Sequence, residues 1–326
     1  MKKNPSHLRV GVVGAGTMGQ HHVRVLSQTS GIIFAGLYDS DSSRAKEICL
    51  RHGCDSFRDL EELLERIDAV TIAAPTSLHW KIGEKCLERG IHTLMEKPLA
   101  HDLPSARSLV ELARRAGAVL MVGHIERYNP AIGKMMEILR SEPEDIVSIE
   151  ARRLSPFDGS RCLDVDVLYD LLIHDIDLAL EIADSPITKV SAVGRPVFSQ
   201  RIDVAHTTIE FENRTIAVFW TAKCSPKKTR SITVCTPSRH IEADTLAHSL
   251  TVYKARDMPK MASGVCLMGD IRREDIEVLY EEPLRREIDD FVRAVREGVP
   301  PTVDGERGLA ALQALDMVTR SLEENR

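Results

Sequence analysis

Five short runs of almost unbroken apolar residues recur through the first 125 positions: LRVGVVG, GIIFAGLYD, IDAVTIAAP, IHTLMEKP and AVLMVGH. A strand with one wet face alternates polar and apolar residues, whereas a strand covered on both faces reads as a continuous apolar stretch, so each run fits a buried parallel strand. Helix-like segments stand between them: SSRAKEICLRHG, SLHWKIGEKCLERG and DLPSARSLVELARRAG. All three open at Ser or Asp and close at Gly, the residues that cap helix ends. Parallel strands need crossovers long enough to hold a helix, and strand and helix repeated this way predict a doubly wound α/β domain over residues 1–125.

The texture then changes. A helix over YNPAIGKMMEILR leads to a strand, DIVSIEARRLS, a helix, VLYDLLIHDIDLALEIA, and a succession of strands from ITKVSAVG through HSLTVYKA. Strands that follow one another without helices predict a mostly antiparallel, open-faced sheet. Two amphipathic helices, EPLRREIDDFVRAVREG and ERGLAALQALDMVTRSL, close the chain. A length of 326 residues exceeds one ordinary core. The expected division is therefore an α/β domain at 1–125 and an α+β domain at 126–326, closely joined because no low-complexity linker separates them.

The first turn carries a recognisable chemistry. Gly14, Gly16 and Gly19 form G-x-G-x-x-G directly after the first strand, with Ala15, Thr17 and Met18 between them. Such a turn lets backbone approach a pyrophosphate lying on the N-terminus of the next helix. Asp39 lies 20 residues after Gly19, at the end of the second strand, where a carboxylate accepts hydrogen bonds from the adenosine ribose hydroxyls. It would repel a 2′-phosphate, so NAD is the expected cofactor. NADP is kept as the lesser alternative, because Arg44, five residues on, could meet that phosphate or simply be a solvated residue of the second helix.

Composition narrows the partners. The net charge of −6 contains no long charge block, which argues against a nucleic-acid or anionic-membrane surface and leaves small molecules or copies of the same chain. The N-terminus has no long apolar core of a signal sequence, and no stretch of about 18 apolar residues occurs. The seven cysteines, at 49, 54, 86, 162, 224, 235 and 266, include no C-x-x-C pair and read as buried thiols of a reducing compartment. Cytoplasmic residence is the expectation.

Two segments remain to be explained. Glu96, Lys97 and Pro98 end the fourth apolar run, and by themselves would be a solvated turn with a proline stop. At a strand end of an open parallel sheet, where such sheets bind their ligands, a lysine gains a purpose. In YDLLIHDIDLAL, Asp170 and His174 are four apart and share a helix face, as an ion pair or as chemistry; a metal site is not expected, since no H-E-x-x-H or third ligand spacing is present.

Taken together, the glycine turn, E-K-P, D-x-x-x-H-x-x-D near residue 170 and the C-terminal E-P-L, F-x-x-A and G-V-P-P-T-V resemble the Gfo/Idh/MocA family of oxidoreductases over essentially the whole chain. The resemblance implies a Rossmann domain followed by a substrate and oligomerisation domain. It also implies that Lys97 contacts the nicotinamide ribose and the reacting hydroxyl, often with a cis peptide before Pro98. Asp170 and His174 fall on the family's aspartate and histidine. Ala74, Pro75, Thr76, His79 and Glu96 join the expected cofactor residues.

Oxidation of a secondary alcohol needs a base for the hydroxyl proton while hydride leaves carbon. An imidazole, with an ordinary pKa of roughly 6.5, suits that role. His174 is the expected base and Lys97 the stabiliser of alkoxide charge, with Asp170 orienting the imidazole or a substrate hydroxyl. Lys97 would be the acceptor instead if it met the substrate neutral.

G-H-x-E-R-Y-N-P, R-R-L-S-P-F and the stretch from Asp164 to Asp177 resemble the family branch containing UDP-N-acetylglucosamine 3-dehydrogenases. That branch implies a nucleotide-sugar substrate, with His124, Arg127, Tyr128 and Arg153 as binding residues. Arg127, Arg152, Arg153 and Arg161 are guanidinium candidates for its diphosphate. An inositol or free-sugar dehydrogenase and an NAD-dependent glycosidase of the same family are the alternatives. A regulator without activity would be expected to lack the lysine or the histidine. Apolar residues in both alternating sets of TIAVFWTAKC and SITVCT predict a homodimer or homotetramer through the outer face of the second sheet.

Overall fold

The computed structural model describes residues 7–157, 166–255 and 271–325. They divide into two compact units, one of residues 1–128 and 282–312, the other of residues 129–281 and 313–326. The first boundary falls within three residues of the expected one. The segment 282–312 belongs to the first unit, where the sequence reading had placed it in the second. Its stripe of buried Leu284, Ile288 and Phe291 shows that a face must be covered, but a stripe does not say by which sheet.

The first unit holds a five-stranded parallel sheet in the order β2-β1-β3-β4-β5, with β1 Leu8–Val13, β2 Ile32–Tyr38, β3 Ala69–Ile72, β4 His92–Glu96 and β5 Leu120–Gly123. All five apolar runs are strands, and β3 and β5 are buried at every position. Five helices follow these strands: α1 Thr17–Ser27, α2 Ser42–His52, α3 Leu60–Leu64, α4 Thr76–Glu88 and α5 Leu103–Ala116. The five-residue α3 was not expected. Asp41 and Asp102 cap α2 and α5 through their carboxylates, and Gly53 and Gly117 end those helices in the left-handed conformation. The chain steps from β1 to β2 on one side and to β3 on the other, so the loops after β1 and β3 part and leave a crevice at the carboxyl ends. A 3-10 turn, Ile125–Tyr128, follows β5.

The second unit is built on an eight-stranded sheet. Its strands are β6 Ser148–Leu154, β7 Ile187–Arg195, β8 Val204–Phe211, β9 Ile216–Ala222, β10 Thr229–Cys235, β11 Arg239–Asp244, β12 Ser249–Ala255 and β13 Ile271–Ile276. The order is β13-β12-β11-β10-β6-β9-β8-β7, antiparallel except where β6 and β9 run parallel. β13, IRREDI, is a charged edge strand, and its lack of an apolar set explains why the sequence did not announce it. One face is covered by α6 Pro130–Ser141, α7 Ile173–Ala183 and the end of α9 Gly305–Glu324, whose Ser321 hydroxyl accepts from the Ala192 N–H at 3.0 Å. The other face leaves Ile216, Val218 and Trp220 of β9 40–45% exposed. The remaining helix, α8 Pro283–Glu297, belongs to the first unit and packs on α1 and on the 3-10 turn.

Among the described residues no helix is long and apolar enough to cross a membrane. The five described cysteines are free thiols; Cys49 and Cys86 are buried, whereas Cys54, Cys224 and Cys235 are partly exposed, contrary to the expectation of burial for all. Arg161, Cys162 and Cys266 lie outside the described residues.

Candidate functional site

At the carboxyl ends of β1, β3 and β4 the first unit opens a cavity of about 700 Å³. Gly14, Gly16, Thr17 and Met18 form one wall, Tyr38, Asp39 and Arg44 a second, Ala73, Ala74 and Pro75 a third, and Glu96 with Lys97 close it. The three glycines do different work. Gly14 has φ +104°, and a Cβ there would sit 2.5 Å from the Ala73 carbonyl oxygen. At Gly19 a Cβ would lie 1.8 Å from the Gly14 oxygen, so that glycine lets helix and turn touch. Gly16 meets nothing within 4 Å, and it precedes a helix that no side chain caps. A turn that is tight at its ends and open in its middle, ahead of free helical N–H groups, fits the pyrophosphate of a dinucleotide.

Asp39 sits where a ribose would be read. Its Oδ2 accepts from the Ala15 N–H at 2.6 Å and its Oδ1 from the Asp41 N–H at 2.7 Å, so the carboxylate is fixed with lone pairs to spare. Arg44, half exposed and 3.5 Å from Asp41, lines the same wall, which brings it closer to the cofactor question than a purely solvated residue would be.

His79, on α4, is 1% exposed and ties two loops together: Nδ1 lies 2.8 Å from the Pro98 carbonyl oxygen and Nε2 2.9 Å from that of Ala74. Burial pushes this imidazole below its ordinary pKa, against the two carbonyl contacts. The Lys97–Pro98 peptide is cis. Glu96 is 9% exposed; burial works against its ionisation, but the His22 contact and the charges of His22 and Lys97 outweigh it and hold the carboxyl below the usual range. Thr76 begins α4 directly after Pro75.

Of the residues expected to meet substrate, His124 and Tyr128 are buried in the first unit, and the Tyr128 hydroxyl donates to Asp290 at 2.8 Å. Burial and that carboxylate push the phenol's pKa up. Arg127, one residue earlier, is half buried.

In the second unit the two residues expected to react lie on one irregular helix. Asp170 lies in a π-helical turn, Leu168–Leu172, and His174 in the first turn of α7. Such widened turns re-aim side chains and are frequent at functional sites. Asp170 is 44% exposed at its side chain, and its Oδ2 lies 3.2 Å from the Nζ of Lys223, whose side chain is 3% exposed. That lysine follows β9 and was not singled out, although TAK closes an apolar strand much as MEK does. Burial raises the carboxyl of Asp166, one turn earlier, despite the Lys223 charge.

Arg153 is 4% exposed on the inner face of β6, and its Nε and Nη2 donate to Asp175 Oδ1 at 2.9 and 2.7 Å. This buried fork pins the start of α7, and so His174, to the sheet. Arg152 points outward and bonds Glu150 instead.

Comparisons with known proteins give the family. Residues 8–124 match the family described as oxidoreductase, NAD-binding Rossmann fold, and residues 164–326 match the C-terminal alpha/beta domain of that oxidoreductase family. The UDP-N-acetylglucosamine 3-dehydrogenase of Acidithiobacillus ferrooxidans is 32% identical over 97% of this chain and 98% of its own. Its solved structure superposes with a TM-score of 0.90 over 98% of both chains, at 31% identity. The myo-inositol 2-dehydrogenase of Thermotoga maritima is 25% identical over 98% of this chain and 97% of its own. The chain belongs to the Gfo/Idh/MocA oxidoreductase family and is a nicotinamide-dependent dehydrogenase acting on CH–OH groups.

Proposed function

We propose that the enzyme oxidises the 3-hydroxyl of a UDP-N-acetyl-hexosamine with NAD. The observation that carries the substrate is the likeness, through both units, to a UDP-N-acetylglucosamine 3-dehydrogenase. NAD is favoured over NADP because a fixed carboxylate, Asp39, stands on the cavity wall where a 2′-phosphate would have to lie.

When bound, the nicotinamide accepts the hydride. The glycine turn and the start of α1 hold the pyrophosphate, and Asp39 accepts from the ribose hydroxyls. Lys97 contributes positive charge as the substrate oxygen develops alkoxide character, and His174 removes its proton. These two roles are assigned from their motifs. Asp170, fixed by Lys223, receives a neighbouring sugar hydroxyl. Arg127 is the guanidinium proposed for the diphosphate, with His124 and Tyr128 shaping that end; Arg153 serves through the helix it holds. The enzyme works as a cytoplasmic homodimer or homotetramer that covers Ile216, Val218 and Trp220.

A panel of UDP-sugars, free sugars and inositols, scored by absorbance at the NADH band, tests the substrate. UDP-N-acetylglucosamine should give the highest kcat/KM. An inositol preferred over every nucleotide sugar would replace the reading, and sugar release without NADH accumulation would point to a glycosidase.

A further inference from the structure

Three ionisable side chains meet behind Lys97, all within the first unit. His22 comes from α1, Glu96 from the end of β4 and Glu287 from α8, with exposures of 0, 9 and 0%. One donor atom of each lies within 4.8 Å of the other two. His22 Nε2 is 3.0 Å from Glu96 Oε1, and Glu96 Oε2 accepts the backbone N–H of Lys97 at 3.3 Å. His22 Nδ1 and both carboxyl oxygens of Glu287 are buried with no hydrogen-bond partner among the described residues. β5 closes the other side: a Cβ on Gly123 would stand 3.3 Å from the Glu96 carboxyl carbon.

Two ionised carboxyls do not persist at this range out of water; such a pair holds a proton. Its location follows from what faces each group. Glu96 has His22, the Lys97 N–H and the Lys97 charge on its side. Glu287 faces burial first, then the negative charges of Glu96 and of Asp290 on its own helix, and these raise its carboxyl well above the usual range. Tyr128 of the 3-10 turn, a neutral phenol, brings no positive charge, and its hydroxyl donates to Asp290.

We infer that Glu287 is kept as the un-ionised acid and shares its proton with the Glu96 carboxylate, so that His22 and Glu287 clamp Glu96 from two sides and act as positioning residues for Lys97. The clamp matters because Glu96 is the chain neighbour of Lys97 and both reach the cofactor cavity. Ionisation of Glu287 would place a second charge against Glu96 and loosen the strand end that aims the lysine. The positioning role rests on the reading of Lys97 as the group that meets the substrate hydroxyl; the shared proton does not.

The proton is tested first. Infrared difference spectra of the full-length wild type and Glu287→Gln at neutral pH should show a carbonyl band of an un-ionised carboxylic acid that the variant lacks. Stability supplies a second reading. A folded-state pKa raised above the ordinary carboxyl value, roughly 4.3, makes the folded wild type lose stability as pH rises from that value to the raised one. Glu287→Gln escapes this loss, so its Tm relative to wild type should climb across that window.

The Lys97 connection is read from kinetics. Glu287→Leu should lower kcat roughly tenfold or more with NAD affinity unchanged, Glu287→Gln should recover most of it, and an alkaline fall in kcat should be present in the wild type and absent from Glu287→Gln. Absence of the acid band, a Tm difference that ignores pH, or one equivalent of divalent metal in the purified protein would overturn the shared proton. An unaltered kcat in both Glu287 variants would overturn the positioning role. Lys97→Ala, measured alongside, shows separately whether the reading of Lys97 itself has failed.

Discussion

Removal of the Asp39 carboxylate should reverse the enzyme's choice of dinucleotide. Its oxygens are fixed by the N–H groups of Ala15 at 2.6 Å and Asp41 at 2.7 Å, so it cannot swing away from a cofactor on the same wall. A 2′-phosphate in place of the hydroxyl it receives would bring two anions to about 4 Å, which costs about 4 kcal/mol per unit charge at an effective dielectric near 20. Solvent screening and the opposing charge of Arg44 remove about half. About 2 kcal/mol remains, more than the 1.4 kcal/mol that makes a tenfold preference. Wild type should therefore bind NAD at least about tenfold tighter than NADP. In Asp39→Ala the ribose loses one charge-assisted hydrogen bond or two, about 1.5 to 3 kcal/mol each, so NAD should weaken roughly tenfold or more while NADP is unchanged or improved. Calorimetric titration of both dinucleotides into both proteins gives all four constants. Equal affinities in the wild type would show that Asp39 does not exclude the 2′-phosphate, and would make Arg44 the residue that decides.

Three further outcomes follow from the second unit. Asp170→Asn should destabilise more than Lys223→Met by about 1 kcal/mol or more, because the first takes a carboxylate away from an ammonium whose side chain is 3% exposed, whereas the second takes the ammonium from a carboxylate that is 44% exposed and can hydrate; paired thermal melts decide. Arg153→Ala, which removes the guanidinium that bonds the buried Asp175, should cost about 3 to 5 kcal/mol in denaturant unfolding, and a loss under 1 kcal/mol would show that the fork does not hold α7. Trp220→Glu should shift the protein to smaller species in light scattering at micromolar concentration, since it charges the exposed apolar row of β9; a wild type already monomeric would end the oligomer proposal.

The Rossmann half was legible because burial on both faces leaves one composition, and because Gly14 and Gly19 are positions where a Cβ collides with backbone. The antiparallel sheet was legible because strand-like segments follow one another with no helix between them, except β13, whose exposed charges leave no apolar set to mark a strand. Local patterns do not name partners. The amphipathic stripe of α8 gave no sign that it joins the first unit, and Glu287 in RREIDDF reads as surface charge until Glu96 is seen beside it. Arg153 shows the same limit: an arginine on an alternating strand looks available to a diphosphate, and only the fold reveals that it turns inward to Asp175. The place of Lys97 at the cavity was legible because its strand could be put in a sheet whose ligand edge is fixed by topology.

Lys97 and His174 are proposed to act together on one hydroxyl, and steady-state kinetics of Lys97→Ala, His174→Ala and the double variant, with the sugar that supports NADH formation, put that pairing to the test. Each single change should lower kcat by roughly 10² to 10⁴ while NAD affinity stays near the wild-type value, because both groups act mainly on the transition state. Serving one proton transfer, they should lose far less together than the product of the single losses. Single variants that each keep more than about a tenth of wild-type turnover would contradict the claim and return Lys97 to a residue at the end of a strand.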